Sequence, residues 1–167
     1  MGEAKNRGTR PALTEAERAA MLGDNFFSTA YEFLFGMIER MYVDAGGVAN
    51  ELIGIDFDSG KVCGVNVLLV RRTEDVPHLR DQMLEKWPMV AHVFEAWAAP
   101  DTSVPPSQHP LRYDVVSVVL HVSDMVAAGM CRVDPGSRTI ERGELLHPTE
   151  VRGRLGRDLP PPPGVLV

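Results

Sequence analysis

The sequence predicts an α+β fold, with N-terminal helices packed on an antiparallel sheet of about five to six strands and one inserted helix. Three observations carry this. Apolar residues recur at helical spacing between residues 25 and 45, the period changes to two at Glu51, and the runs after residue 112 are joined by connections too short for a parallel crossover. A chain of 167 residues, 44% apolar and 24% charged, has the length and balance of one globular core.

The elements follow in order. Residues 1–12 are polar, carry Gly8 and Pro11, and read as a flexible basic arm. Thr14 and Glu17 have the spacing of a capping box, in which each side chain satisfies a backbone N–H left free at a helix start, so a short helix is expected over 15–22, ended by Gly23. Asp24 or Asn25 can cap a second helix, whose apolar stripe is Phe27, Tyr31, Leu34, Ile38 and Met41 and whose stop is Gly46-Gly47. From Glu51, Leu52, Ile53, Ile55 and Phe57 lead into the turn Asp58-Ser59-Gly60-Lys61, and Val62 to Val70 return to Arg71-Arg72, which reads as a hairpin. Asp75 heads an inserted helix that runs to Trp87, because Pro88 disfavours a helical residue before it. Residues 89–98 read as a strand, and 99–112, with four prolines, as a long loop. Strands over 113–122, 125–133 and 137–146 complete a meander, and 151–167 form an Arg- and Pro-rich tail outside a domain of 13–150.

Charge narrows the function classes. Seventeen Lys and Arg stand against 23 Asp and Glu, a net −6, and the ends are basic, which leaves about −9 on the body. A field of that sign repels polyanions, so nucleic acid is not expected as a partner. No run approaches about 18 apolar residues and the first twenty residues lack the apolar core of a signal peptide, so a cytoplasmic chain off the membrane is expected. Cys63 and Cys131 lie in apolar segments with no CxxC partner and read as small buried thiols.

Chemistry-bearing groups gather around the proline-rich loop. Glu95, Trp97, His109 and Arg112 place a carboxylate, an indole, an imidazole and a guanidinium near one end of the sheet if 89–98 and 113–122 are neighbours, a set that can hold a polar ligand. The alternative is an ion pair between Glu95 and Arg112 with Trp97 covering the loop. His78, His92, His109, His121 and His147 have neither the i, i+4 helical spacing nor the His-x-His pattern of a metal site, and no cofactor is expected. No GxSxG elbow is present, and the Gly-rich stretch 152–157 lacks the Lys and hydroxyl of a phosphate loop.

The order Glu95-Ala96-Trp97, proline-rich loop, His109-Pro110, Arg112 and an alternating strand resembles a family of small uncharacterised bacterial proteins, with Arg154 and Leu155 similar to its closing Gly-Arg segment. The resemblance covers about 90–157. It implies a strand-loop-strand centre and no particular substrate, since the family has no established activity.

Two functional expectations result. The first is a non-enzymatic accessory or protein-interaction module that binds another protein, or itself as a homodimer, through the sheet or through the aromatic helix at Phe27, Tyr31 and Phe35. The second is a small enzyme or polar-ligand-binding protein that uses Glu95, His109 and Arg112.

Overall fold

A computed structural model describes residues 13–23, 25–123 and 125–147. The arm over 1–12, the tail over 151–167 and the Asp24 cap lie outside the described residues.

Helix α1 spans Glu15–Leu22 and starts with the expected box. Thr14 Oγ1 accepts from the Glu17 N–H at 3.2 Å, and Glu17 Oε2 accepts from the Thr14 N–H at 2.8 Å. Gly23 ends the helix at φ 65°, and a Cβ there would come within 3.3 Å of the Gly60 Cα, so glycine serves both the turn and the close approach.

Helix α2 spans Phe26–Ala45. Asn25 occupies its N-cap position, but in the left-handed region (φ 58°) its side chain makes no capping hydrogen bond. Gly46, at φ 72°, closes the helix by donating its N–H to the Tyr42 carbonyl at 2.8 Å. The buried face is Phe27, Ala30, Tyr31, Leu34, Ile38 and Tyr42, and Met41 is only partly covered. This corrects the expected interface. Phe27 and Tyr31 are 5% and 4% exposed and belong to the core, and Phe35 is half-buried against it, because this is the face the sheet covers.

The strands are β1 Glu51–Asp58, β2 Lys61–Leu69, β3 Met89–Ala98, β4 Tyr113–Val122, β5 Met125–Asp134, β6 Thr139–Glu141 and β7 Leu145–Leu146. Their order is β2-β1-β3-β4-β5-β6, with β7 also on β5, and every pairing is antiparallel. Helices α1 and α2 cover one face, meeting Ile53, Ile55, Met89, Val93, Val116, Val118 and Leu120. Helix α3, Val76–Leu84, covers β1 and β3 on the other face through Val76, Met83, Leu52 and Val90. Coverage on both faces explains why Glu51–Ile55 and Met89–Phe94 are buried without alternation.

Three boundaries differ from the sequence expectation. The inserted helix begins as a 3-10 turn over Thr73–Asp75, Asp75 makes no side-chain cap, and α3 ends at Leu84 rather than Trp87. Trp87 leaves the helix to fill the notch over Gly54, where a Cβ would lie 2.6 Å from the indole. The loop over 99–112 holds a short 3-10 turn, Pro106–Gln108. The expected strand 137–146 is split into β6 and β7, since Arg142, Gly143 and Glu144 stand opposite only Met130 and Cys131, a bulge of one residue.

Tyr31 accounts for that split. Its ring lies on Gly129, where a Cβ would fall 2.6 Å from the ring, and its hydroxyl donates to the Gly143 carbonyl at 2.9 Å and approaches Cys131 Sγ at 3.5 Å. Gly143 passes so near the Met130 carbonyl that a Cβ would overlap it. Burial, then the Cys131 contact, pushes the phenol far above its ordinary pKa and keeps it a donor. Replacing Gly129 by Ala is expected to destabilise the fold by about 1–3 kcal/mol through overpacking. Tyr31→Phe, which orphans the Gly143 carbonyl, is expected to cost about 1–3 kcal/mol. In urea denaturation the two costs should be less than additive in the double variant, because both act on one contact.

Candidate functional site

The four residues marked by the sequence stand around one end of the sheet without converging. Glu95 and Trp97 share the α2-facing side of β3, two residues apart. Glu95 Oε1 accepts from the Val48 backbone N–H at 2.7 Å, and a Cβ on Gly47 would lie 3.0 Å from the same oxygen. The carboxylate thus anchors the link between α2 and β1.

Arg112 goes elsewhere. Its guanidinium lies over the Trp97 ring, 4.5 Å from the centroid, and Nη1 donates to the Ser107 carbonyl at 2.5 Å. The expected Glu95–Arg112 ion pair is therefore replaced by two separate contacts, each holding a different loop. Trp97 stays 44% exposed, its outer surface open.

His109 is 6% exposed and locked by two bonds of opposite sense. Nδ1 accepts from the Leu111 N–H at 3.0 Å, so in the neutral ring the proton sits on Nε2 and is donated to Asp101 Oδ1 at 3.3 Å. Asp101 also accepts from the Ser103 hydroxyl and, at 2.9 Å, from the Ser103 N–H, and these bonds hold its carboxyl below the usual range. With its proton donor and its acceptor both engaged inside the loop, His109 works as a clasp across residues 101–111. A shallow depression of about 170 Å³ lies elsewhere, over β5 and β6, lined by Arg132, Asp134, Thr139 and Glu141 among others.

Sequence reasoning missed a second set of polar groups because tertiary packing alone buries them. Arg18, on α1, is 9% exposed; Nη2 donates to the Leu84 carbonyl at the end of α3 at 2.6 Å, and Nη1 to Ser123 Oγ at 3.3 Å. It ties the two helix layers together, and a negative helix C-terminus is a favourable place for a cation. Glu51 is 5% exposed, and desolvation raises its carboxyl. His92 is 4% exposed, 2.7 Å from Asn50 Oδ1 through Nε2, and tilted against Phe94 with centroids 4.4 Å apart. His121 shares that sheet face, diagonal to His92 in the β3–β4 register. No periodicity distinguishes these positions from wet ones in the sequence. Cys63 is exposed rather than buried, at the bulge where β2 has one residue more than β1, whereas Cys131 is buried. Among the described residues no three His, Cys, Asp or Glu side chains are grouped to hold a metal ion.

Compared with protein families, with curated proteins and with solved structures, the chain finds no match. No helix among the described residues is long and apolar enough to cross a membrane.

The two histidines set an acid response. Burial, with the nearby Arg80 charge, pushes both imidazoles down to about 4 from an ordinary 6.5. A base whose pKa is depressed by folding adds stability that is fully present above pH 6.5 and lost as pH falls toward 4, since the unfolded chain takes up the protons first. Glu51, raised by burial, acts in the opposite sense and trims the slope at the acid end. Urea midpoints are expected to fall between pH 7 and 5 with an uptake of between one and two protons, about 1.4 kcal/mol per pH unit for each. His92→Gln, which cannot titrate, should remove roughly half of that slope.

Proposed function

We propose that this chain is a non-enzymatic protein-interaction module that binds by adding a strand to the β2 edge of its sheet. The observation that carries the proposal is the state of β2. This terminal strand exposes Val65 36%, Val67 45%, Leu68 36% and Leu69 63%, and from Val62 to Val70 it has no charge and no proline. Natural sheets blunt their edges with lysine, proline or short strands, because a row of unpaired backbone groups recruits other strands. Strand β2 opens on Lys61 and bulges at Cys63, but the seven residues from Gly64 to Val70 carry no charge and no proline, which suits a surface that is covered in use.

The engagements of the site residues support the same reading over the polar-ligand one. Glu95 through Oε1, Arg112 through Nη1 and His109 through both ring nitrogens are tied to neighbouring loops, which supports strand addition, a backbone function, over a polar-ligand site. The acidic body argues against a polyanionic partner. A cytoplasmic setting also belongs to this reading, since an exposed thiol such as Cys63 stays reduced there.

Affinity capture with Val67→Lys tests it, with Val43→Lys as a control at a 50% exposed position on α2. Both variants are expected to melt within about 2 °C of the wild type, as surface substitutions do. Partners held by the wild type and by Val43→Lys and lost by Val67→Lys would support the edge. Equal recovery on all three would overturn it.

A further inference from the structure

We infer that helix α3 is an acid-released cover, which lifts from the sheet as a unit when His92 and His121 take up protons, while the α2 layer stays folded. The helix has a slight hold on the sheet. Of its nine residues only Val76 and Met83 are buried, and no side chain caps its first turn. With Leu52, Val70 and Val90 these two form a small cluster separate from the larger core under α2. A helix of this length is not stable alone in water, so α3 depends on that small contact and can open apart from the rest.

The two histidines lie on the face that α3 covers, each beside a residue of its cluster. His92 stands opposite Leu52 on β1, and His121 opposite Val90 on β3. Asn50 Oδ1 can only accept, which places the proton of the neutral His92 ring on Nε2, so acid adds the second proton at Nδ1.

The ionisable groups around the pair do not balance that charge. From α3 come Arg80 and Asp81, joined to each other at 3.0 Å; Arg80 opposes protonation of both rings, and Asp81 favours it at His121. From β1 and β5 the opposed residues are Leu52 and Val126, which carry no charge, and Glu51 shares the other face of the sheet with Val93. At the end of the helix Arg18 places a further cation on the Leu84 carbonyl. Two protonated rings and Arg80 would thus share Asp81, a carboxylate already held by Arg80 and 67% exposed.

Lifting the helix returns both rings to water, where an imidazole takes its proton near pH 6.5 rather than about 4. The open form therefore binds more protons below pH 6.5, and its population rises as the pH falls. Between pH 7 and 5 the opening constant is expected to grow about twentyfold for each histidine, and several hundredfold for the pair. The α2 side responds differently. Burial raises Tyr31, Tyr42 and Cys131, which leaves them protonated and unchanged in mild acid, and raises Glu51, which favours the folded layer as the pH falls.

Native-state hydrogen exchange on the full chain at pH 7 and pH 5, corrected for intrinsic rates, tests the inference. Amides of residues 80–84 in α3 are read beside those of residues 116–120 in β4. The α3 amides are expected to open several hundredfold more often at pH 5 than at pH 7, and more often than those of β4 at pH 5. His92→Gln and His121→Gln should each leave about a twentyfold rise, and the double variant almost none. An α3 opening constant equal to that of β4 at both pH values would mean that the helix opens only with the whole fold, and would overturn the inference. An α3 constant that does not change between pH 7 and 5 would overturn it as well, and so would a rise that persists undiminished in the double variant. The two wild-type outcomes decide the matter even if the double variant does not fold.

Discussion

One helix has to cover a sheet wider than itself. Six strands side by side span roughly 24 Å, whereas a helix with its side chains is about 10 Å across. Yet α2 touches β2 at one edge of the sheet and β6 near the other. The sheet meets that demand by wrapping the helix, which requires the last strands to come in close. Gly129 and Gly143 allow the approach, Tyr31 fills it, and the one-residue bulge between β6 and β7 supplies the bend. Leu34 and Ile38, with 0% and 1% exposure, lie at the centre of the enclosed core.

The opposite face is covered piecemeal. Helix α3 packs on β1 and β3, and Trp87 closes the gap over Gly54 after the helix ends. Burying polar groups there is unfavourable unless each finds a partner. His92 has Asn50, and Arg18 reaches the end of α3 from the other layer. The acid response expected of the fold follows from placing two imidazoles where burial disfavours the cation.

Around the long loop, side chains that have the look of a reactive set are used as fasteners. Glu95 holds the α2–β1 link, His109 clasps 101–111, and Arg112 stacks on Trp97. Among the described residues, β2 ends the sheet with no strand paired to its outer edge.

The sequence by itself determined the element types and most of their ends. Periodicity placed the second helix, the hairpin and the meander, because hydrophobic spacing reports which face of a local segment is buried, whereas Gly23 ended the first helix and Pro88 separated the strand at 89–98 from the helix before it. The Thr14 box was legible because capping is a contact between residues three apart. Tertiary structure decided what the side chains do. Whether Phe27 and Tyr31 meet solvent or a sheet, whether Trp87 extends a helix or leaves it for Gly54, and where the last strand breaks all depend on partners dozens of residues away, as in the contact of Tyr31 with Gly143. So do the separate fates of Glu95 and Arg112. Residues close in sequence were brought to the same end of the sheet, but hydrogen-bond geometry with Val48 and Ser107, which no local pattern encodes, turned them away from each other.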